Sequence, residues 1–175
     1  MAASGIYVAG RGDAADPIGG LFLFRETATG WTGSRLAAVP NLSSLARHPE
    51  FAVVYGTSLA ADGGLLHAWR IDAGRPAEPL SQVPSGGTDP CHVCVDPTGR
   101  SLIVCNYSSP VLASWTLADD GAIDSPMPSI VLQGNGSGVV PARQDRPHPH
   151  QAQFVGDRLL VTDLGADCLR QFRID

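Results

Sequence analysis

Between Gly134 and Asp167 the chain concentrates side chains that move protons or hold anions. Arg143, Gln144, His148, His150, Asp163 and Asp167 fall within G-N-G-S-G-V-V-P-A-R-Q-D-R-P-H-P-H-Q and the later L-L-V-T-D-L-G-A-D. Imidazole exchanges a proton near neutral pH, and a guanidinium grips carboxylate or phosphate through paired N–H groups, so this set suits acid–base chemistry on an anionic small molecule. Pro147 and Pro149 flank His148 and exclude a helix there, which places both histidines on an extended segment entering a strand. Residues i and i+2 of a regular strand share a face, which predicts His148 and His150 side by side. Three uses of the pair stay open: proton transfer beside Arg143, metal binding with Asp163 and either His92 or Asp167, or hydrogen-bonded bracing of a proline-rich loop. Zinc needs a third firm protein ligand in fitting geometry, and the spacing supplies none, so no metal and no other cofactor is expected.

Other motifs carry less. Cys91-His92-Val93-Cys94 has the spacing of a redox pair or half a zinc site. A reactive pair wants its first thiol at a helix N-terminus, whereas the alternation here belongs to a strand, and buried structural thiols are expected. Gly134 to Gly138 lacks the strand–turn–helix setting of a dinucleotide fingerprint and reads as a flexible loop over a pocket. There is no G-x-S-x-G elbow, which argues against a serine nucleophile. Arg11-Gly12-Asp13 reads as a glycine-rich loop rather than an adhesion signal.

The totals bound the partners. A chain of 175 residues suffices for one domain, and 43% hydrophobic with 17% charged residues is ordinary for a globular protein. A formal charge of -5 without a basic stripe argues against nucleic acid. All 12 basic residues are arginine, which removes Schiff-base chemistry and a phosphate-loop lysine from this chain. The N-terminus lacks the basic and apolar regions of a signal peptide, and no window approaches the roughly 18 apolar residues of a spanning helix; a cytoplasmic protein without a membrane partner is expected.

The elements that must position these side chains are short strands punctuated by Gly, Pro and Asp. Three strands lead, at Gly5 to Ala9, Leu21 to Arg25 and Arg35 to Val39, with turns such as Asp16-Pro17 and Gly19-Gly20 between them. Two units of four strands follow, about 42–83 and 91–133, and an unfinished one occupies about 147–175. Overlaying the units matches His48-Pro49 with Asp96-Pro97, Val54-Tyr55 with Val104-Cys105 and Val161-Thr162, and Trp69 with Trp115 and Phe172. Self-similar four-strand units without helical periodicity predict an all-β fold, a β-propeller of four-stranded antiparallel blades. These units amount to about half a closed ring. Asp175 is therefore expected to be a truncation, with a missing C-terminal half or a second chain closing the ring.

Asn106-Tyr107, the G-S-G and R-Q of Gly136 to Gln144, P-H-x-H at Pro147 to His150 and D-L-G-x-D at Asp163 to Asp167 together resemble the lactonase family of seven-bladed β-propellers. That family includes propeller-type 6-phosphogluconolactonases and fungal carboxy-muconate lactonising enzymes. The resemblance implies a hydrolase opening a sugar lactone such as 6-phosphogluconolactone, with an anionic lactone as the small-molecule partner. It implies His148 as the proton-handling group, Arg143 as the anion holder, and His150, Asn106 and Asp163 as residues shaping or binding at the site. Two departures accompany it: the family's later arginine and glutamate candidates lie in blades this chain does not contain, and the turn around Val155-Gly156-Asp157 is shortened. The fragment is accordingly expected to be incomplete as a catalyst. A non-catalytic binding scaffold and a muconate-lactonising enzyme are the alternative readings, since propellers host unrelated functions.

Overall fold

A computed structural model describes residues 5–12, 19–61, 63–72 and 75–173. Asp13 of the Arg-Gly-Asp tripeptide, the Asp16-Pro17 turn and the last two residues lie outside them. Four antiparallel sheets follow one another along the chain. The first is β1 (Gly5–Gly10), β2 (Gly20–Thr27) and β3 (Gly30–Ala38); the second is β4 (Leu42–Arg47), β5 (Val53–Ala60), β6 (Gly63–Arg70) and β7 (Glu78–Pro84). The third is β8 (Pro90–Val95), β9 (Ser101–Asn106), β10 (Val111–Leu117) and β11 (Ile123–Val131), and the fourth is β12 (Pro149–Val155), β13 (Arg158–Asp163) and β14 (Cys168–Arg173). Neighbours in sequence are neighbours in each sheet, which is the meander of a propeller blade. No helix among the described residues is long and apolar enough to cross a membrane.

Sheets meet face to face, and each seam carries one aromatic from the later blade's third strand. Trp69 packs with Leu21, Leu23, Leu36, Leu42 and Val54 between the first two sheets. Trp115 joins Val53, Tyr55, Leu66 and Leu102 in the next seam, and Phe172 packs against Cys105, Leu112, Leu159 and Val161 in the last. Polar bonds set the blades in register across the same seams. The Tyr55 hydroxyl donates to the Gly121 carbonyl at 2.7 Å, and Ser43 Oγ donates to the Pro90 carbonyl at 3.0 Å. His48 Nδ1 accepts from the Glu50 and Phe51 amides, so its Nε2–H donates to the Gly99 carbonyl at 3.0 Å.

Three sequence expectations shift. The third strand starts at Gly30 rather than Arg35, because most of β3 is solvent-exposed and shows no apolar alternation to read. The last strand of the unit expected at about 91–133 is β11, Ile123–Val131, and it contains Pro126 and Pro128; as the outermost strand it needs no amide for a further neighbour. The unit overlay slips as well. Trp69 lies opposite Val54, Trp115 opposite Leu102 and Phe172 opposite Leu159, so Val54 corresponds to Leu102 and not Val104. A slip of two residues keeps every side chain on its face, which is why the pattern concealed it.

β1 occupies a second-strand position. It packs against β4 as β5 packs against β8 and β9 against β12, and the described residues place no strand on its inner side. Ile6 and Val8 of β1 are exposed, as are Leu164 in the β13–β14 turn and Leu169 of β14. Within the seams, Trp115→Ala should lower unfolding free energy by about 3–5 kcal/mol, the cost of emptying a large aromatic site. Tyr55→Phe should cost about 1 kcal/mol through its lost hydrogen bond. Denaturant titration of both variants measures the two values, and equal midpoints to the parent would contradict this packing account.

Candidate functional site

The first strands β4, β8 and β12 lie side by side, and the segments at their entrances converge with the loop after β1. Between them is a cleft of about 230 Å³ whose polar lining is Arg11, Ser43, Asp89, Tyr107, Arg143 and His150. Each of the four sheets or its connecting loops contributes. Arg143 sits in a single 3-10 turn, Pro141–Arg143, and its Nη1 donates to the Tyr107 hydroxyl at 3.3 Å. His150 is exposed and meets the Tyr107 ring edge-on, with ring centroids 5.7 Å apart. Asp89 holds a left-handed backbone, φ 57°, pinned by its carbonyl accepting from the Tyr107 amide at 2.9 Å.

His148 is placed differently from the sequence expectation. Its ring is buried and stacks on Tyr107 at 4.6 Å, Nδ1 donates to the Tyr107 carbonyl at 2.6 Å, and Nε2 faces Asp145 Oδ1 at 3.0 Å. Both ring nitrogens are therefore engaged by oxygens, and His148 is absent from the cleft lining. The two histidines do not share a face: His148 precedes β12, and the β12–β13 register shifts between Pro149 and Gln151, across His150. A bulge there breaks the period of two on which the pairing rested. Tyr107 is instead the residue both imidazoles touch.

Asp163 and Asn106 act as braces and do not line this cleft. Asp163 is buried; Oδ1 accepts from the His148 amide at 2.8 Å and the Ala166 amide at 3.1 Å, and Oδ2 accepts from Arg170 Nε at 2.7 Å. Asn106 is fully buried, with Oδ1 accepting from Ser85 Oγ at 2.8 Å and Nδ2 donating to the Ser85 carbonyl at 3.1 Å. The side-chain polar atoms of both are thus engaged within the chain. Asp167 fastens the glycine-rich loop: Oδ2 accepts from the Ser137 amide and hydroxyl, each at 2.6 Å, and Oδ1 accepts from Gln144. Gly165 lies between the two carboxylates, where any Cβ would collide with the Arg146 carbonyl and His148. The D-L-G-x-D turn is thus a double clasp holding the P-H-x-H segment and the G-S-G loop.

Titration follows the same geometry. Hydrogen bonds from Ser137 hold Asp167 below the ordinary carboxylate value, and the bond with His148 does the same for Asp145. Burial, then His150, lowers His92, whose Nδ1 accepts from the Ala152 amide at 3.4 Å. Burial pushes the Cys91 thiol up to about 11 and Cys94 up to about 12, so the C-x-x-C pair is poorly suited to thiolate chemistry. Cys105 is buried and Cys168 exposed. Among the described residues no three His, Cys, Asp or Glu side chains group to hold a metal.

Residues 21–175 match the model of the family described as "Lactonase, 7-bladed beta-propeller". The chain belongs to the lactonase family of seven-bladed β-propellers. It is 29% identical over 147 residues to a 6-phosphogluconolactonase of Formosa agariphila, covering 81% of this chain and 41% of that protein. Against the Bacillus subtilis 6-phosphogluconolactonase it is 27% identical over 141 residues, covering 79% of this chain and 40% of that one. A crystal structure of a Lactobacillus plantarum protein superposes with a TM-score of 0.84 at 26% identity, over 99% of this chain and 50% of that chain. The chain thus spans about two fifths of these curated lactonases and half of the solved propeller.

Sequence reasoning missed Arg11, Ser43 and Asp89 and treated Tyr107 only as part of a motif. Their one shared signal is position, each lying near the end of a strand on the cleft side, and that signal needs the blade assignment first.

Two outcomes test the clasp. Arg170→Ala leaves Asp163 buried without its cation and should cost about 3–5 kcal/mol in a denaturant titration, whereas a neutral result would show the pair to be dispensable. Because Asp167 is depressed in the folded state, its hold on the loop is complete above the ordinary value of 3.8 and is lost as pH falls through the lower folded value. Amide protection at residues 134–138, taken relative to the intrinsic rate at each pH, should fall in that acid window, and Asp167→Asn should lower it at neutral pH as well.

Proposed function

We propose that this chain supplies the anion-holding and proton-handling part of a lactone hydrolase site, acting on a sugar lactone that bears a phosphate or carboxylate, such as 6-phosphogluconolactone. The observation that supports this most is the cleft itself: two arginines, an imidazole, a phenol and a carboxylate lining about 230 Å³ where the first strands meet. The 6-phosphogluconolactonases among its relatives agree with that chemistry.

Arg11 and Arg143 hold the anionic group by charge-assisted hydrogen bonds. His150 takes a proton from water as the water oxygen attacks the lactone carbonyl carbon. The Tyr107 hydroxyl, itself bonded to Arg143, donates a hydrogen bond to the carbonyl oxygen as negative charge develops there. The ring C–O bond breaks, the ring oxygen leaves as a hydroxyl after receiving the proton from His150, and a free hydroxy acid remains. His148, clamped through Tyr107, Asp145 and Asp163, positions Tyr107 rather than touching substrate. Asp89 meets the sugar hydroxyls.

Lactone opening releases a proton at neutral pH, so turnover by the full-length gene product can be followed by titration at constant pH. Arg143→Ala should raise KM about tenfold or more for the phosphorylated lactone and change little for the unphosphorylated one. His150→Ala should lower kcat by about a hundredfold or more. Full activity in His150→Ala with loss in His148→Asn would return the proton-handling role to His148, and no hydrolysis by the parent would end the proposal.

A further inference from the structure

The last residue of a second strand is a brace in two blades, and a third blade departs from that plan. With Val54, Leu102 and Leu159 equivalent, Ser58 corresponds to Asn106 and Asp163, and His67 corresponds to Ala113 and Arg170. Asn106 and Asp163 reach the segment entering their own blade, at Ser85 and His148. Ser58 is too short to do so. Residues 38–41, the segment entering the second blade, are held instead by bonds such as the Val39 amide to the Gly19 carbonyl and Asn41 Nδ2 to the Leu59 carbonyl. The space left is a cavity of about 580 Å³, with Ser58, His67 and Gln82 in its lining.

Two of those side chains are hydrogen-bonded and the third faces them. Ser58 Oγ lies 2.8 Å from His67 Nε2, and both residues are buried. Trp69 stacks on the imidazole, with centroids 5.1 Å apart and planes 7° from parallel, which fixes the ring orientation. Gln82 faces His67 across the β6–β7 pair, and its side chain partly offsets the effect of burial on the imidazole. Burial lowers His67 to about 4, so the ring is neutral at pH 7 and Nε2 offers a lone pair to the serine hydroxyl. A hydroxyl hydrogen-bonded to an imidazole, with an amide facing the ring, therefore stands beside a cavity of small-molecule size.

We propose that Ser58, His67 and Gln82 constitute a second, acyl-accepting site, separate from the arginine-lined cleft, that reacts with small activated esters. Ser58 Oγ attacks the ester carbonyl carbon and passes its proton to His67 Nε2. The C–O bond to the leaving group breaks, the departing alkoxide collects that proton, and an acyl-Ser58 remains for water to hydrolyse by the same steps reversed. A neutral amide stabilises the transient imidazolium less than a carboxylate does, and a weakly basic ring draws the proton less strongly, so good leaving groups are required.

An alkyl phosphonofluoridate tests this directly, because Ser58 Oγ attack on phosphorus expels fluoride and leaves a stable phosphonyl ester. One phosphonyl group per chain, located on Ser58 by peptide mass spectrometry, is expected. Labelling should be absent in Ser58→Ala and about tenfold slower or more in His67→Gln. Gln82→Glu should accelerate it severalfold, a gain that a merely structural glutamine would not produce and that stands even where His67→Gln fails to fold. No adduct on Ser58 in the parent, or an equal rate in a folded His67→Gln, overturns the proposal; an unchanged rate in Gln82→Glu removes Gln82 from it.

Discussion

A four-stranded sheet with two apolar faces cannot stand alone in water, and that requirement organises the molecule. Each blade buries one face against its predecessor and offers the other to its successor. The seams are filled by Trp69, Trp115 and Phe172, one bulky ring from each third strand. Burying a side chain of that size contributes about 2–3 kcal/mol, so a seam holds its blades together before any polar bond is counted. Because the twisted sheets stack through these seams, β4, β8 and β12 come side by side, and the cleft at their entrances follows. Ile6 and Val8 of the first sheet and Leu164 and Leu169 of the fourth are exposed, outside these seams.

Electrostatics then works within that frame. A buried carboxylate is tolerated only when its oxygens are engaged, and Asp163 meets the condition with two amides and one guanidinium. Through those bonds it sets the backbone of His148, which sets Tyr107, which in turn meets Arg143 and His150. One register position near the end of the second strand thus differs from blade to blade: an amide in the third, a carboxylate in the fourth, a hydroxyl in the second. Where the side chain reaches, a loop is tied down; where it stops short, at Ser58, a cavity opens beside His67.

The repeat was legible because an aromatic recurs at one register position and because glycine, proline and aspartate mark turns on any chain. The motif from Pro147 to Asp167 was legible as a unit too, yet its members divide between cleft and scaffold. Nothing local says that Asp163 turns inward to the His148 amide while His150 turns outward. That division comes from the bulge across His150 and from the collision that keeps every residue but glycine from position 165. Arg11 and Asp89 lie far from the motif in sequence and join it because neighbouring blades stack.

The amino-acid sequence by itself determined the all-β class, the four-strand unit and the membership that the family match established, since periodicity and turn chemistry are local properties of the chain. Tertiary structure alone decided which polar side chains face a cleft and which are spent on bracing. Only packing assigns each donor and acceptor its partner, and a histidine with both nitrogens bonded has a different chemistry from one left facing water.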